Sequence, residues 1–237
     1  MSKEGSKRQG MDIREAVNQR RSIRSFKPDP VPREVLSEIM EQALRAPSWG
    51  NTQPWEFAVV SGRELEEIRK TFLEKADVEP TTDIARPKTY PNVDRSRAVG
   101  AKLFEIMGIR REDKEKRRWW QLQGLRLFGA PGAIYILMER SNYFQGDSLN
   151  VWPLFDCGLV AENITLLATG YGLGTIVEVQ SVFFPDVLRK VLNIPDSKLI
   201  VMGIAIGYPD WDDPVNHFRS EREPLTNVVK WYGFDQG

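Results

Sequence analysis

From Leu154 to Ala168 the chain reads LFDCGLVAENITLLA, and only Asp156, Glu162 and Asn163 break its apolar run. A helix this apolar on every side cannot rest on the surface of a lone subunit. It is also shorter than the roughly 18 apolar residues that a membrane span requires. The run therefore predicts either the central core helix or part of a subunit interface.

The segments around it alternate between two periods. Asp12 is placed to cap a short helix ending at Arg20 or Arg21. From Pro32, PREVLSEIMEQALRAP carries Val35, Leu36, Ile39, Met40, Ala43 and Leu44 at helical spacing, and it stops before Pro47. SWGNTQPW reads as a loop and EFAVV as a short strand, with helix expected over 63–76. The stretch 77–92, rich in proline, threonine and charge, predicts an exposed loop. Helical patterns follow over 95–107 and 112–128, then a buried strand, GAIYILM. TIVEV, a helix over 185–192 and the strand LIVMGIAIG complete the pattern. In RREDKEKRR, Glu112 precedes Lys116 by four residues and Asp113 precedes Arg117 by four, the spacing of a solvated helix face. The expectation is one α+β domain over 11–237, preceded by a polar, disordered lead-in at 1–10 with no apolar core of a signal peptide.

Composition narrows the chemistry. Lys plus Arg and Asp plus Glu are 33 each, so no net field draws the protein to nucleic acid or another polyanion. With one cysteine, Cys157, and one histidine, His217, there is no disulfide framework, cysteine cluster or histidine-rich metal site to assemble. DWDDP at 210–214 lacks calcium-loop spacing and reads as a turn, so no metal is expected. Cys157, among Leu154, Phe155 and Leu159, reads as a buried, inert thiol. No membrane span is present, and a cytoplasmic protein is expected.

Two motifs remain. GYGLGT at 170–175 supplies alternating glycines, but it follows a helix and opens a strand, the reverse of a dinucleotide-binding loop. A helix C-cap turn accounts for its first glycines, while the bare backbone beyond them suits close approach to a flat ligand. QRRSIRSF at 19–26 packs three arginines into five residues. Arginine forks match phosphate, carboxylate or a nucleic-acid backbone, and the alternative is a solvated helix end.

Taken in order, QRRSIRSF, APSWGNTQPWEF, GYGLGT and GIAIGYPDWDDPVNHFRSEREPL resemble the nitroreductase family over about 12–231. The resemblance implies a central, mostly antiparallel or mixed sheet flanked by helices, an intertwined homodimer, and bound FMN reduced by NAD(P)H. It implies that Arg20, Arg21 and Ser22 hold the phosphate and the ribityl and pyrimidine side of the flavin, with Arg24 a further basic position. It implies that Pro47, Ser48 and Asn51, with Gln53 in the same motif, reach the flavin of the other subunit. By the same likeness the backbone near Val179 or Gln180 faces the flavin N5, Arg222 binds the phosphate, and Arg219 is a second phosphate ligand. Trp49, Trp119 and Trp120 are candidates for a flat substrate wall, and residues 86–128 for a cover over the open flavin face, the other reading of both being core. Glu178 departs from the common form of its loop and stands either inward, where it would tune the flavin or repel anions, or out in solvent.

The physical chemistry agrees with a phosphate clamp, since a dianion held away from water needs several charge-assisted donors. Hydride chemistry would belong to the flavin, which suits a chain so poor in histidine and cysteine. The implied reaction is reduction of a small electrophile, a nitroaromatic or a quinone, by ping-pong transfer through flavin N5. A reductive dehalogenase, an enoate-type reductase and a non-catalytic flavin-binding protein are the alternatives.

Overall fold

A computed structural model describes residues 11–85 and 93–234. The expected disorder at 1–10 and the start of the proposed cover, 86–92, lie outside these residues. Helices α1 (Ile13–Gln19) and α2 (Arg33–Ala43) precede β1 (Trp55–Ser61) and α3 (Gly62–Glu74). Then come α4 (Val93–Ile106), α5 (Lys114–Leu125), β2 (Gly132–Glu139), α6 (Arg140–Tyr143) and a small hairpin, β3 (Phe144–Gln145) and β4 (Ser148–Leu149). The chain continues through α7 (Trp152–Gly170), β5 (Gly174–Glu178), α8 (Pro185–Leu192), β6 (Lys198–Gly207) and α9 (Leu225–Val228).

The main sheet has the order β1-β2-β6-β5, and every neighbouring pair is antiparallel. Strand β2 is buried along nearly its whole length, as an uninterrupted apolar run requires when both faces are covered. On one face Tyr135, Leu137, Ile176 and Ala205 pack with Phe72 of α3, Leu125 of α5 and Leu188 of α8. On the other, Ile134, Ile136, Ile204 and Ile206 pack with Ile39 of α2 and with Cys157, Val160 and Ile164 of α7. The apolar helix α7 is thus a core helix, yet Trp152 and Phe155 on its other side remain 66% and 62% exposed. Cys157 is buried, and that burial pushes its thiol up to about 12, so it stays protonated and unreactive.

Local signals explain the element boundaries. The Asp12 carboxylate accepts from the Arg14 N–H and so caps α1. Three expectations change. The loop over 77–85 is pinned: Arg189 donates to Asp83 at 2.7 Å, and the Ile200 N–H donates to the same carboxylate at 2.8 Å. Helix α5 begins only at Lys114, so Glu112 and Asp113 lie before its first turn and cannot form the pairs expected of a helix face. Arg117 instead covers the Phe104 ring, with 4.4 Å from guanidinium carbon to ring centroid, and Arg118 pairs with Asp77. The bare backbone at Gly174 is explained by packing: a Cβ there would lie 2.5 Å from Ile23 and 2.8 Å from Pro209.

Candidate functional site

That close packing positions the arginines. Ser22 forms a parallel bridge to Thr175 of β5, the Ile23 N–H donates to the Thr175 carbonyl, and Phe26 bridges to Pro209. QRRSIRSF is therefore stitched along the sheet edge between β5 and the 208–210 segment, not left as a solvated helix end. Asn216, fully buried, makes the third attachment. Its Oδ1 accepts from the Arg24 N–H at 2.8 Å, and its Nδ2 donates to the carbonyls of Ser25 and Asp210 at 2.7 Å each.

The result is a cleft of about 370 Å³ lined by Arg20, Arg21, Ser22, Arg24, Arg219 and Arg222, with Val99 of α4 and Phe218 as apolar wall. The arginines from the two ends of the sequence converge as expected. Among the described residues their present partners are mostly neutral oxygens. Arg20 faces Glu162 at 3.7 Å, Arg21 donates to the Gln19 carbonyl, and Arg219 donates to the Asn18 carbonyl. Arg222 bonds to Ser220 and to the Glu221 carbonyl. Burial, and then the charge of Arg219, pull the Arg21 pKa down, as expected of guanidinium groups crowded without enough counter-charge. Five guanidinium groups, of which among the described residues only Arg20 has a carboxylate within ion-pair distance, make a receptor for a multiply charged anion. Arg21 also lies over the Trp211 ring, whose carbonyl bonds to His217 Nε2 at 2.8 Å. A neighbouring cleft of about 590 Å³ shares Val99, Phe218, Arg219, Ser220 and Arg222, and α4 forms its far wall.

The 47–53 motif lies elsewhere. Ser48 Oγ accepts from the Gln53 N–H, and the buried Asp156 of α7 accepts from the Trp49 N–H. Gly50, Asn51 and Gln53 all take positive φ, a conformation that costs the two non-glycine residues energy. The strained turn holds Pro47, Asn51 and Gln53 outward and leaves Trp49 76% exposed. Trp49 lines a separate cleft with Trp152 and Asp156 that shares no lining residue with the arginine cleft. Within one chain, then, the two motifs are not brought together.

Val179 and Gln180 follow β5, where Gln180 opens a 3-10 turn through Val182. The Gln180 side chain lies against Gly124 of α5 and reaches the Gln121 carbonyl at 3.5 Å. Trp120 packs edge-on to Phe128 at 5.9 Å, with Trp119 half-exposed beside it. Glu178 turns inward: its Oε1 is buried without a hydrogen-bond partner among the described residues. Burial raises its pKa well above the carboxylate range, against the lowering effect of Arg24. Asn216 and Asp156 escaped sequence reading because their partners are distant in the chain, and Tyr135 because its hydroxyl, like Glu178 Oε1, has no partner among the described residues to mark it. No group of three or more His, Cys, Asp or Glu side chains among the described residues is arranged to hold a metal, and no described helix is long and apolar enough to cross a membrane.

The chain is similar to known proteins in sequence and fold. The sequence model of the nitroreductase family matches residues 17–208. The nitrobenzene nitroreductase of Ectopseudomonas oleovorans is 31% identical over 227 residues, covering 92% of this chain and 96% of that protein. Nitroreductase NfnB of Mycolicibacterium smegmatis is 29% identical over 219 residues, covering 91% and 90%. The crystal structure of the FMN and NADPH-dependent nitroreductase NfnB from a Sphigopyxis strain superposes with a TM-score of 0.86 at 30% identity, over 94% of this chain and all of that one. With the family match spanning the arginine segment, the 47–53 turn and the whole sheet, this chain belongs to the nitroreductase family.

Proposed function

We propose that the chain is an FMN-dependent oxidoreductase, a single domain over 11–237, that uses NAD(P)H to reduce a small nitroaromatic or quinone. The observation that carries this reading is the arginine cleft, a charge-dense receptor in a protein of zero net charge. Arg20, Arg21, Arg219 and Arg222 would hold the FMN phosphate, with Ser22 and Arg24 on the ribityl and pyrimidine side. When bound, FMN supplies hydride acceptance and donation at N5. The backbone at Val179 and Gln180 would fix the ring. Donor and acceptor would occupy the site in turn, a ping-pong exchange. Dependence on NAD(P)H implies work in the cytoplasm, where these nucleotides are held. Purified protein should be yellow, release FMN on denaturation, and consume NADH or NADPH with a nitroaromatic or a quinone. Chromatography that finds FAD, or no flavin, would sink the reading.

The working unit is a homodimer. The outward 47–53 turn shares a cleft with Trp152, and Trp49, Trp152 and, on the same helix, Phe155 are left exposed among the described residues. A second copy placed there would bring Pro47, Ser48, Asn51 and Gln53 to the flavin of its neighbour. Phe155→Asp would bury a charge at that contact, and sedimentation should find it largely monomeric and depleted of flavin. A monomeric wild type with full flavin would refute the shared site.

Residues 86–128 act as the cover. Val99 of α4 lines both clefts beside the arginines, and α5 is linked to the 180–182 turn through Gln121. Leu103 and Leu125 anchor the two helices in the interior, while the half-exposed Trp119 remains available to a substrate. Trp119→Ala and Trp120→Ala should change KM or substrate ranking several-fold with flavin content intact. Loss of stability with unchanged ranking would make the helices scaffold only.

A further inference from the structure

Tyr135, Gly203 and Glu178 are register partners on the adjacent strands β2, β6 and β5. They share one face of the sheet, and the absent side chain of Gly203 leaves a gap between the other two. A Cβ on Gly203 would lie 2.1 Å from Ser181 Oγ and 3.1 Å from Tyr135 Cε1, so the serine and the tyrosine ring fill that gap. Tyr135 is fully buried, and its Oη, like Glu178 Oε1, has no partner among the described residues. The Ser181 hydroxyl is already engaged, donating to the Glu178 carbonyl at 2.7 Å. A buried, unsatisfied carboxylate costs far more than a buried neutral acid.

The Ser22–Thr175 bridge and the bond from the Ile23 N–H to the Thr175 carbonyl run the arginine segment alongside β5, the strand that ends in Glu178, and Arg24 of that segment lines the anion cleft with its backbone held by Asn216. The charged and titratable groups acting on this corner are Arg24, Tyr135, and Arg69 of α3 through its field on Tyr135. Arg69 is engaged by the Arg126 and Ala130 carbonyls and by Glu66. Arg24 is therefore the cation that an ionised Glu178 would claim, and the same cation faces the ligand cleft.

We propose that Glu178 is a positioning residue of the arginine cleft, held as a neutral acid while an anion occupies the cleft, so that Arg24 directs its charge at the ligand and not at β5. Binding an anion beside Arg24 favours the protonated form of Glu178, and the proton comes from solvent. By reciprocity the protonated form binds the anion more tightly. This inference rests on FMN as the ligand of the cleft.

The test is calorimetric titration of FMN into flavin-free protein, in buffers of different ionisation enthalpy. The FMN phosphate is already a dianion through the alkaline range, so its own titration does not intrude. Wild type should take up a fraction of a proton per FMN, and its affinity should fall several-fold as pH rises, the direction required when the bound form holds Glu178 more strongly protonated than the free form. Glu178→Gln, neutral at every pH, should show neither the uptake nor the slope. A second measurement needs no variant: infrared difference spectra of wild type labelled with 13C-glutamate should show the carbonyl stretch of a protonated carboxylic acid in the FMN-bound form. Equal proton uptake and slope in both proteins, or no protonated carboxyl band, overturns the inference while leaving FMN binding standing. Failure of wild type to bind FMN at all overturns the proposed function together with it.

Discussion

Alanine at Arg20 and Arg222 together is expected to weaken FMN binding to the flavin-free protein by at least about a hundredfold, each lost charge-assisted contact costing roughly 1.5–3 kcal/mol. The loss should fall on binding, not on folding. Among the described residues Arg20 has only Glu162 at 3.7 Å as an ionic partner, and that carboxylate is more than half exposed, so water replaces the arginine. Arg222, among the described residues, bonds only within its own short segment, to Ser220 and Glu221. Riboflavin makes the control, because it lacks the phosphate. Its affinity should change little in the double variant, and the salt dependence of FMN binding should flatten as two cations leave the cleft. Arg222→Lys should recover only part of the loss, since an ammonium keeps the charge without the fork. Equal weakening of FMN and riboflavin would show that these arginines do not grip the phosphate.

The arginine positions were legible because arginine is rarely concentrated without a partner, and the family motifs tied 20–24 to 219–222 across most of the chain. Element types were legible for a simpler reason. Apolar spacing along α2, α7, β2 and β6 reflects burial that each segment records locally. The orientation of Glu178 was also recoverable: strand alternation puts it on the same face as the buried Ile176, with Val177 facing outward. The pairing of RREDKEKRR failed because spacing presumes that the helix already includes both partners, and α5 starts too late. The flat-ligand reading of Gly174 failed because a bare backbone marks close approach of any group, and here the group is Ile23 and Pro209. What composition and period could not reveal were side chains that serve distant backbone. Asn216 and Asp156 act on residues 192 and 107 positions away, and nothing in their own neighbourhoods announces it.

Asn216 therefore bears the second large expected effect. Its amide joins three strands of chain that have no sheet ladder of their own, fastening Arg24 and Ser25 to the turn at Asp210. Leucine keeps the branched shape, with bulkier methyl ends, and can make none of these bonds. The Ser25 carbonyl would keep its bond from the Asp210 N–H at 3.1 Å, but the Arg24 N–H and the Asp210 carbonyl would lose the asparagine. Leaving two such groups without a partner should cost on the order of 3 kcal/mol. For a domain of this size, that lowers Tm by about 6–12 °C. The segment carrying Arg20, Arg21 and Arg24 would keep its bridge to Thr175 yet lose its fixed angle to Arg219 and Arg222. FMN occupancy under limiting flavin should therefore drop even at temperatures where the variant is fully folded. The two readouts separate two roles. A lowered Tm with full flavin affinity would make Asn216 a purely structural clasp, while unchanged values of both would mean that the arginine segment is held by its strand bridges alone.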